Sequence, residues 1–169
     1  MKNRAPTSTH KKVVVLLQDG PHRKGYLNPA VLGRAETIDL LTVDGEHQAI
    51  ALEEVKSVHF VREFQEEFEA ERKTFLSRPK LDGLWVRLRF TDGDVMEGIV
   101  ANDLVDMLDK GVQLTPPDLH SNTVRLFIPR TALTEMKVLG VVGVARRAAQ
   151  PARDAGVAAA AAQTKLFGE

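Results

Sequence analysis

KVVVLLQDG at residues 12–20 and WVRLRFTDG at residues 85–93 share one pattern, in which an apolar run ends in an Asp-Gly pair. Asp-Gly between apolar runs is the strongest local signal of a β-hairpin, because a type I′ turn needs positive φ at both central residues. The second pair, Asp92-Gly93, follows the first, Asp19-Gly20, by 73 positions. The sequence therefore predicts two equivalent hairpins, each with a type I′ turn.

A glycine also recurs inside the strand that leaves each turn. KGYL at residues 24–27 carries Gly25, and EGIV at residues 97–100 carries Gly98, again 73 positions later. A glycine inside a strand usually marks a bulge or a sharp bend. The shared spacing extends the repeat over the whole hairpin and predicts a second strand that curls a small sheet.

Three further strands are predicted in each segment, in the same order. They match at residues 38–40 and 112–114, at 48–50 and 126–128, and at 55–58 and 133–136. Five short strands with a strongly bent second strand are typical of SH3-like and Sm-like barrels. We therefore expect a mainly β protein with two tandem five-stranded barrel units, at residues 12–62 and 81–140. A unit of about 60 residues is marginally stable alone, so the two units are expected to pack together.

The first strand of the first unit has apolar side chains on both faces. Val14 and Leu16 stand where the second unit has Arg87 and Arg89, on the face opposite the core. A strand that is apolar on both faces needs a cover on both sides, and the other unit, the linker or a partner protein can supply it. Burial within the chain is the commoner outcome, but Val14 and Leu16 are candidate contacts for a protein partner.

The linker between the units, residues 63–80, is acidic and aromatic. Phe64 and Phe68 fall near one side of a helix, with acidic groups on the other side, and Pro79 ends the pattern. The segment is interpreted as a connecting helix packed on the barrels, as an acidic-aromatic docking surface, or as an extended segment tied to the barrels by its phenylalanines. Phe64 and Phe68 are therefore further candidate partner contacts.

The two ends of the chain differ in composition from the units. Residues 1–11 are basic and are expected to be flexible, and residues 141–169 are rich in alanine, which favours disorder or a frayed helix. The apolar run 13–17 is too short for a signal peptide, and no stretch approaches the ~20 apolar residues of a membrane span. We expect a cytoplasmic protein with no membrane span.

The charge of the chain is balanced, with 23 Lys and Arg residues and 23 Asp and Glu residues. There is therefore no global field to attract nucleic acid or an anionic membrane. The best basic cluster surrounds the first hairpin and consists of Lys11, Lys12, Arg23 and Lys24. This cluster is the candidate contact for single-stranded RNA, although a solvated N-terminal edge explains it equally well.

The sequence carries no motif for catalysis or metal binding. It has no cysteine, which excludes disulfides, thiolate catalysis and Cys-ligated zinc, and no histidine has a partner at the spacing of a helical metal pair. Asp92-Gly93-Asp94 lacks the other ligands of a calcium loop and is interpreted as a turn. Asp103, Asp106 and Asp109 are interpreted as a solvated loop. We expect no enzyme activity, no cofactor and no metal.

Three stretches resemble an uncharacterised bacterial domain that occurs in proteins with PilZ or two-component signalling modules. LEEVKSVHFVREF at 52–64 is similar to the end of the first half of that domain. VRLRFTDGDVMEG at 86–98 and PPDLHSNTVRLFI at 116–128 are similar to its second half. The resemblance covers roughly residues 12–139. It implies no known activity, but its associations imply bacterial signalling or surface motility.

A partial resemblance to Sm-like RNA-binding barrels rests on Asp92-Gly93, Gly98, Asn102-Asp103 and Met107. The loop is acidic, and the second Sm motif is absent near residues 125–130. The RNA-contacting positions of that family therefore have no counterpart here, and phosphate binding would lack its usual electrostatic support.

These observations lead to one functional expectation and two alternatives. We expect a non-enzymatic protein-interaction or regulatory adaptor module in bacterial signalling, with a protein as its partner. The alternatives are a protein that binds single-stranded RNA and a sensor of a small ligand or nucleotide between the two units. Self-association of the chain is left open.

Overall fold

The computed structural model describes residues 7–68 and 71–143, and the chain is mainly β, as the sequence predicts. The N-terminal half contains strands β1 (Lys11–Leu17), β2 (Arg23–Leu27), β3 (Thr37–Thr42), β4 (His47–Ala51) and β5 (Val55–Val61). The C-terminal half contains β6 (Gly83–Phe90), β7 (Val95–Val100), helix α1 (Leu104–Leu108), β8 (Gly111–Leu114), β9 (Thr123–Pro129) and β10 (Leu133–Val142).

The strands form two antiparallel sheets. The larger sheet has the order β4-β3-β2-β1-β5-β9-β8, and the smaller has the order β10-β6-β7. Because β9 lies beside β5, the larger sheet runs through both halves of the chain. One bridge joins the two sheets: Ile99 and Thr115 exchange backbone hydrogen bonds of 2.9 and 3.0 Å.

The two closed barrels expected from the sequence are not formed, since neither sheet closes. The cause lies in the pairing of β8 and β9. β9 uses its outer edge to pair with β5 of the other half, and β8 meets β7 through a single bridge. The two halves therefore share one sheet.

The two Asp-Gly hairpins have the same register. Val13 of β1 lies opposite Gly25 of β2, and Val86 of β6 lies opposite Gly98 of β7. Pairing continues through both glycines without the bulge that the sequence suggested. A Cβ at Gly98 would overlap the side chain of Leu114, so this glycine allows β8 to approach β7 closely.

The turns of these hairpins are not of the expected type I′. Gly20 and Gly93 have φ of 90° and 88°, but no other residue type has positive φ in the described part of the chain. The carbonyl of Phe90 accepts a hydrogen bond from the Gly93 N–H at 3.0 Å. This is the geometry of a type I turn followed by a left-handed glycine. Gly45, with φ of 87°, makes a similar turn between β3 and β4, which the sequence analysis did not identify.

The last strands of the two halves, β5 and β10, also correspond in register. Val13 of β1 lies opposite Phe60 of β5, and Val86 of β6 lies opposite Val138 of β10. Both strand pairs contain a register shift near the Asp-Gly hairpin. The structural correspondence between the halves thus extends from the first strand of each half to the last.

Each half has its own cluster of buried apolar side chains, and β9 contributes to both. Leu126 and Ile128 of β9 belong to the C-terminal core. Phe127, between them, points to the other face and packs in the N-terminal core, opposite Val58. Phe127 is 1% exposed. β9 therefore connects the halves through its backbone and through a buried side chain.

In its described residues, the linker does not form the connecting helix that is one of the three forms considered from the sequence. It has no helix where the structure describes it, at residues 62–68 and 71–82. β10 continues to Val142 and so includes the first two residues of the predicted tail, 141–169. Residues 144–169, for which disorder or a frayed helix is predicted, lie outside the described residues, as do residues 1–6.

The acidic segment after the second hairpin is not the loop expected from the sequence. It forms the short helix α1, which Asp103 caps by accepting a hydrogen bond of 2.9 Å from the Val105 N–H. An aspartate at this position is a preferred N-cap, because it satisfies a free backbone donor of the first turn.

Candidate functional site

Strand β10 exposes three apolar side chains along one strand. Met136 is 37% exposed, Val138 is 51% exposed and Val141 is 44% exposed. Their cross-strand neighbours in β6 are the buried residues Leu88, Val86 and Leu84. Cross-strand neighbours lie on the same face of a sheet, so the three exposed side chains continue the C-terminal core outward. Within the described residues no strand pairs with the outer edge of β10. We call this surface the β10 rim.

The opposite face of β10 is charged. The Glu135 carboxylate lies 3.4 Å from the Lys137 ammonium and 3.6 Å from the Arg89 guanidinium. Exposed pairs of this kind add little stability. Charged side chains on an edge strand limit its pairing with unrelated chains.

Strand β4 is the edge at the other end of the larger sheet. In the described residues it pairs only with β3. Its exposed side chains are small or polar: Ala49 is exposed, and exposed His47 lies 3.0 Å from the Asp39 carboxylate. This edge therefore presents backbone groups with little steric cover.

The linker covers the face on which partner contacts were predicted. Those predicted contacts are Val14, Leu16, Phe64 and Phe68. The ring of Phe64 packs edge-on against Tyr26 with centroids 5.5 Å apart, and Phe68 packs against His59 at 5.0 Å. Val14, 4% exposed, lies between strands that the linker contacts. Leu16 is half-buried and lines a cleft together with Phe68. A partner reaches Val14 only if the linker moves away.

The basic cluster considered as an RNA contact also faces the linker. Its members are Lys11, Lys12, Arg23 and Lys24. The Lys12 ammonium lies 2.8 Å from the Glu63 carboxylate, and the Lys24 ammonium donates to the backbone carbonyls of residues 65 and 66. Arg23 donates a hydrogen bond of 3.1 Å to the Pro21 carbonyl. Three of the four cations are therefore engaged within the described residues, which leaves a weaker basic surface than the sequence suggests.

A cleft of about 230 Å³ lies between the halves beside the linker. The Lys56 ammonium of β5 lies 2.6 Å from Asp92 and 3.2 Å from Asp94 in the second hairpin, and Lys73 of the linker lies 2.7 Å from Asp94. Burial opposes ionisation of Asp94, but hydrogen bonds from Lys73 and Lys56 outweigh it and lower the pKa of Asp94. These charges tie together both halves and the linker.

His59 lies in the same cleft. Its Nε2 is 3.0 Å from the Ser57 hydroxyl, and its Nδ1 is 3.4 Å from the Thr123 hydroxyl. Burial, followed by the nearby charge of Lys56, lowers the pKa of His59 to about 4, so the ring is neutral at pH 7. Ser57 is 3% exposed and the second ring nitrogen faces a hydroxyl rather than a carboxylate. We interpret the Ser57–His59 pair as structural.

Glu97 is a buried carboxylate that holds the linker against the C-terminal half. It is 4% exposed, and it accepts hydrogen bonds from the Trp85 indole at 3.1 Å and from the Phe75 N–H at 3.2 Å. Arg87 pairs with it at 3.1 Å. Burial alone would raise the pKa of Glu97, but these hydrogen bonds and Arg87 lower it.

Replacing Glu97 by alanine is expected to destabilise the protein by about 2 kcal/mol, because two part-buried donors, the Trp85 indole and the Phe75 N–H, lose their buried acceptor. Chemical denaturation followed by fluorescence of Trp85, the single tryptophan, measures the change. Glu135→Ala is the matched control, since Glu135 is exposed and its removal should cost less than about 1 kcal/mol. Equal effects of the two substitutions would contradict the role given to Glu97.

The described residues contain no group of three His, Asp or Glu side chains that could hold a metal ion. Asp92 and Asp94, which the sequence places in a turn, bond to lysines. Among the same residues, no helix is long and apolar enough to cross a membrane.

Sequence reasoning missed both the β10 rim and Glu97. The predicted last strand covered only residues 133–136, although VLGVV at 138–142 continues the apolar pattern. The signal for Glu97 was an acidic residue inside the otherwise apolar segment VMEGIV at 95–100.

Comparison with known proteins gives a match to a family model. The model described as "Family of unknown function (DUF6982)" matches residues 9–140, which contain all of β1–β9 and most of β10. No curated protein and no solved structure matches the chain.

Proposed function

We propose that the chain, which belongs to this family of unknown function, is a non-enzymatic protein-interaction module that serves as an adaptor in bacterial signalling. The β10 rim is the observation that carries the proposal. An exposed strand edge binds an extended segment of a partner through backbone hydrogen bonds, and adjacent apolar side chains add affinity. The contact surface is therefore the outer edge of β10, with Met136 and Val138 as its apolar contacts.

We also propose that the two halves are tandem copies of one five-stranded, SH3-like unit. The order β5-β1-β2-β3-β4 in the N-terminal half corresponds to β10-β6-β7 followed by β8-β9 in the C-terminal half. The equal registers of Val13 with Gly25 and of Val86 with Gly98 support this proposal. Duplication of a unit explains why the second half repeats the first strand by strand.

A protein partner fits the surface better than RNA does. Binding to RNA depends on cations that are free to neutralise phosphates, and its strength falls steeply with salt. Here Lys12 and Lys24 bond to the linker, and the net charge is zero. The β10 rim, by contrast, offers apolar side chains and backbone groups, whose contacts depend less on salt.

Val138→Glu is expected to weaken partner binding at least about tenfold, because the new carboxylate would have to be desolvated in the contact. The measurement is retention of bacterial proteins on the immobilised full-length chain, after nuclease treatment and at two salt concentrations. Val105→Glu is the matched control, since Val105 is 72% exposed on α1, away from β10.

Two results would contradict this proposal. Equal retention by Val138→Glu and the wild type would show that β10 is not the contact surface. Retention that disappears with nuclease and falls steeply with salt would favour the RNA alternative.

A further inference from the structure

The two halves of the chain meet through an asymmetric strand contact. β5 of the N-terminal half pairs antiparallel with β9 of the C-terminal half, with Val58 opposite Phe127 and Phe60 opposite Arg125. β5 is the last strand of its half and β9 is the fourth strand of the other. The contact therefore joins two different surfaces. We call the edge of the last strand the head and the edge of the fourth strand the tail.

Two strands at the edges of the sheets, β10 and β4, present the same two kinds of surface. β10 occupies the position of β5 in the C-terminal half, and β4 occupies the position of β9 in the N-terminal half. Within the described residues neither strand is paired on its outer edge. The internal contact thus uses one head and one tail, and one of each remains.

Equivalent residues of β5 and β10 differ in exposure, because β9 lies beside β5 and no described strand lies on the outer edge of β10. Val58 and Phe60 of β5 are 0% and 5% exposed, since β9 lies beside them. Met136 and Val138, at the equivalent positions of β10, are 37% and 51% exposed. The β10 rim is therefore the surface that β9 covers in the N-terminal half.

We propose that β10 of one copy pairs with β4 of a second copy and so repeats the β5–β9 contact between molecules. The inference rests on the proposed protein-interaction function and names the partner as the chain itself. Transferring the internal register places Met136 opposite Ala49, Lys137 opposite Gln48, and Val138 opposite His47. No pair brings two like-charged carboxylates or two lysines together.

The side chains make this contact weaker than the internal one. Phe127 fills the N-terminal core across from Val58, whereas its counterpart on β4 is Ala49, which is exposed and small. The Ala49 position leaves room for the longer Met136 side chain but buries less apolar surface. Assembly should therefore depend on concentration. A head-to-tail contact also repeats, so it produces chains or rings rather than a symmetric dimer.

Disulfide trapping tests the strand register directly, because the natural chain has no cysteine. Ala49→Cys and Met136→Cys are made in separate full-length chains and mixed under mild oxidation. The mixture should give a crosslinked dimer, and each variant alone should give little. Lys137→Cys mixed with Ala49→Cys is the register control, since its side chain lies on the opposite face of β10. Crosslinking by Met136→Cys alone, or none in the mixture, would overturn the proposal.

A mixing experiment gives a second test by sedimentation. Ala49→Glu and Val138→Glu should each sediment as a monomer at concentrations where the wild type forms larger species. Mixed in equal amounts they should form dimers and nothing larger, because one intact β10 can meet one intact β4. Circular dichroism and Val105→Glu control for folding and for an added charge. Loss of assembly by Val138→Glu with none by Ala49→Glu would show a β10–β10 contact and reject the head-to-tail mode.

The outcome separates this inference from the proposed function. A wild-type chain that stays monomeric and forms no trapped dimer, while β10 still retains another protein, would refute self-assembly and leave the adaptor proposal intact. Trapped dimers whose formation is lost with Val138→Glu, in the absence of any other retained protein, would confine the function of β10 to assembly of the chain itself.

Discussion

Replacing Phe127 by alanine is expected to destabilise the N-terminal half by about 3–5 kcal/mol, although the residue belongs to the C-terminal half. Phe127 is 1% exposed and packs in the N-terminal core opposite Val58. Its removal leaves a cavity, and the main chain cannot close it because β9 is held by pairing with both β5 and β8. The effect should therefore approach the upper part of the range for buried aromatic side chains.

Hydrogen exchange measured strand by strand distinguishes this role from a general loss of stability. Amides of β1 and β5 should exchange faster in Phe127→Ala, while those of β6 and β7 keep most of their protection. Val124→Ala is the matched control, because Val124 lies in the same strand and is 41% exposed. Faster exchange confined to β6 and β7 would contradict the view that Phe127 stabilises the other half.

Local features of the structure were predictable from the sequence. The strands around Asp19-Gly20 and Asp92-Gly93 were placed correctly, because a turn residue between apolar runs acts over a few positions. The predicted type I′ turn was wrong, because it needs positive φ at both central residues. In each pair only the glycine has positive φ, and the aspartate before it has negative φ. Asp44-Gly45 carried the same signal without equally long apolar runs on both sides.

The arrangement of the halves was not predictable in the same way. Phe127 alternates with Leu126 and Ile128, which shows that β9 has two apolar faces but not which strand covers each. The pairing of β5 with β9 joins residues about 65 positions apart, and no short-range rule selects one neighbour for a strand edge. The same uncertainty hid the β10 rim, because Val138 is exposed where no strand of the described residues pairs with the outer edge of β10.

For the candidate contacts, the sequence indicates the chemistry of the side chains but not which segment lies next to them. The doubly apolar β1 indicated that Val14 needed a cover, and the linker now lies over that face. The sequence left linker and partner open, since Phe64 and Phe68 suit either role. Glu97 was harder to recognise, because its three donors come from the linker and from β6, which the fold alone brings together.

Acidification from pH 7 to pH 4.5 is expected to lower the free energy of unfolding by about 2 kcal/mol through His59. Burial, then the charge of Lys56, lowers the pKa of this imidazole to about 4 in the folded chain, against about 6.5 when unfolded. The unfolded state thus binds the proton first. Stability is complete above pH 6.5 and falls as the pH drops towards 4. A shift of this size corresponds to about 3 kcal/mol at most, which the remaining solvent contact of the ring reduces.

Urea denaturation at the two pH values, in wild type and His59→Gln, measures this contribution. Glutamine retains a donor and an acceptor for the Ser57 and Thr123 hydroxyls but does not titrate in this range. On acidification, the other titrating groups lower the free energy of unfolding of both proteins by the same amount. His59→Gln should lose less than about 0.5 kcal/mol beyond that amount. Glu97 and Asp94 remain in both chains, so their protonation cancels in the comparison. Identical pH dependence of the two proteins would show that the cleft accepts a charged His59. Water would then reach His59 where the linker residue Phe68 packs against it.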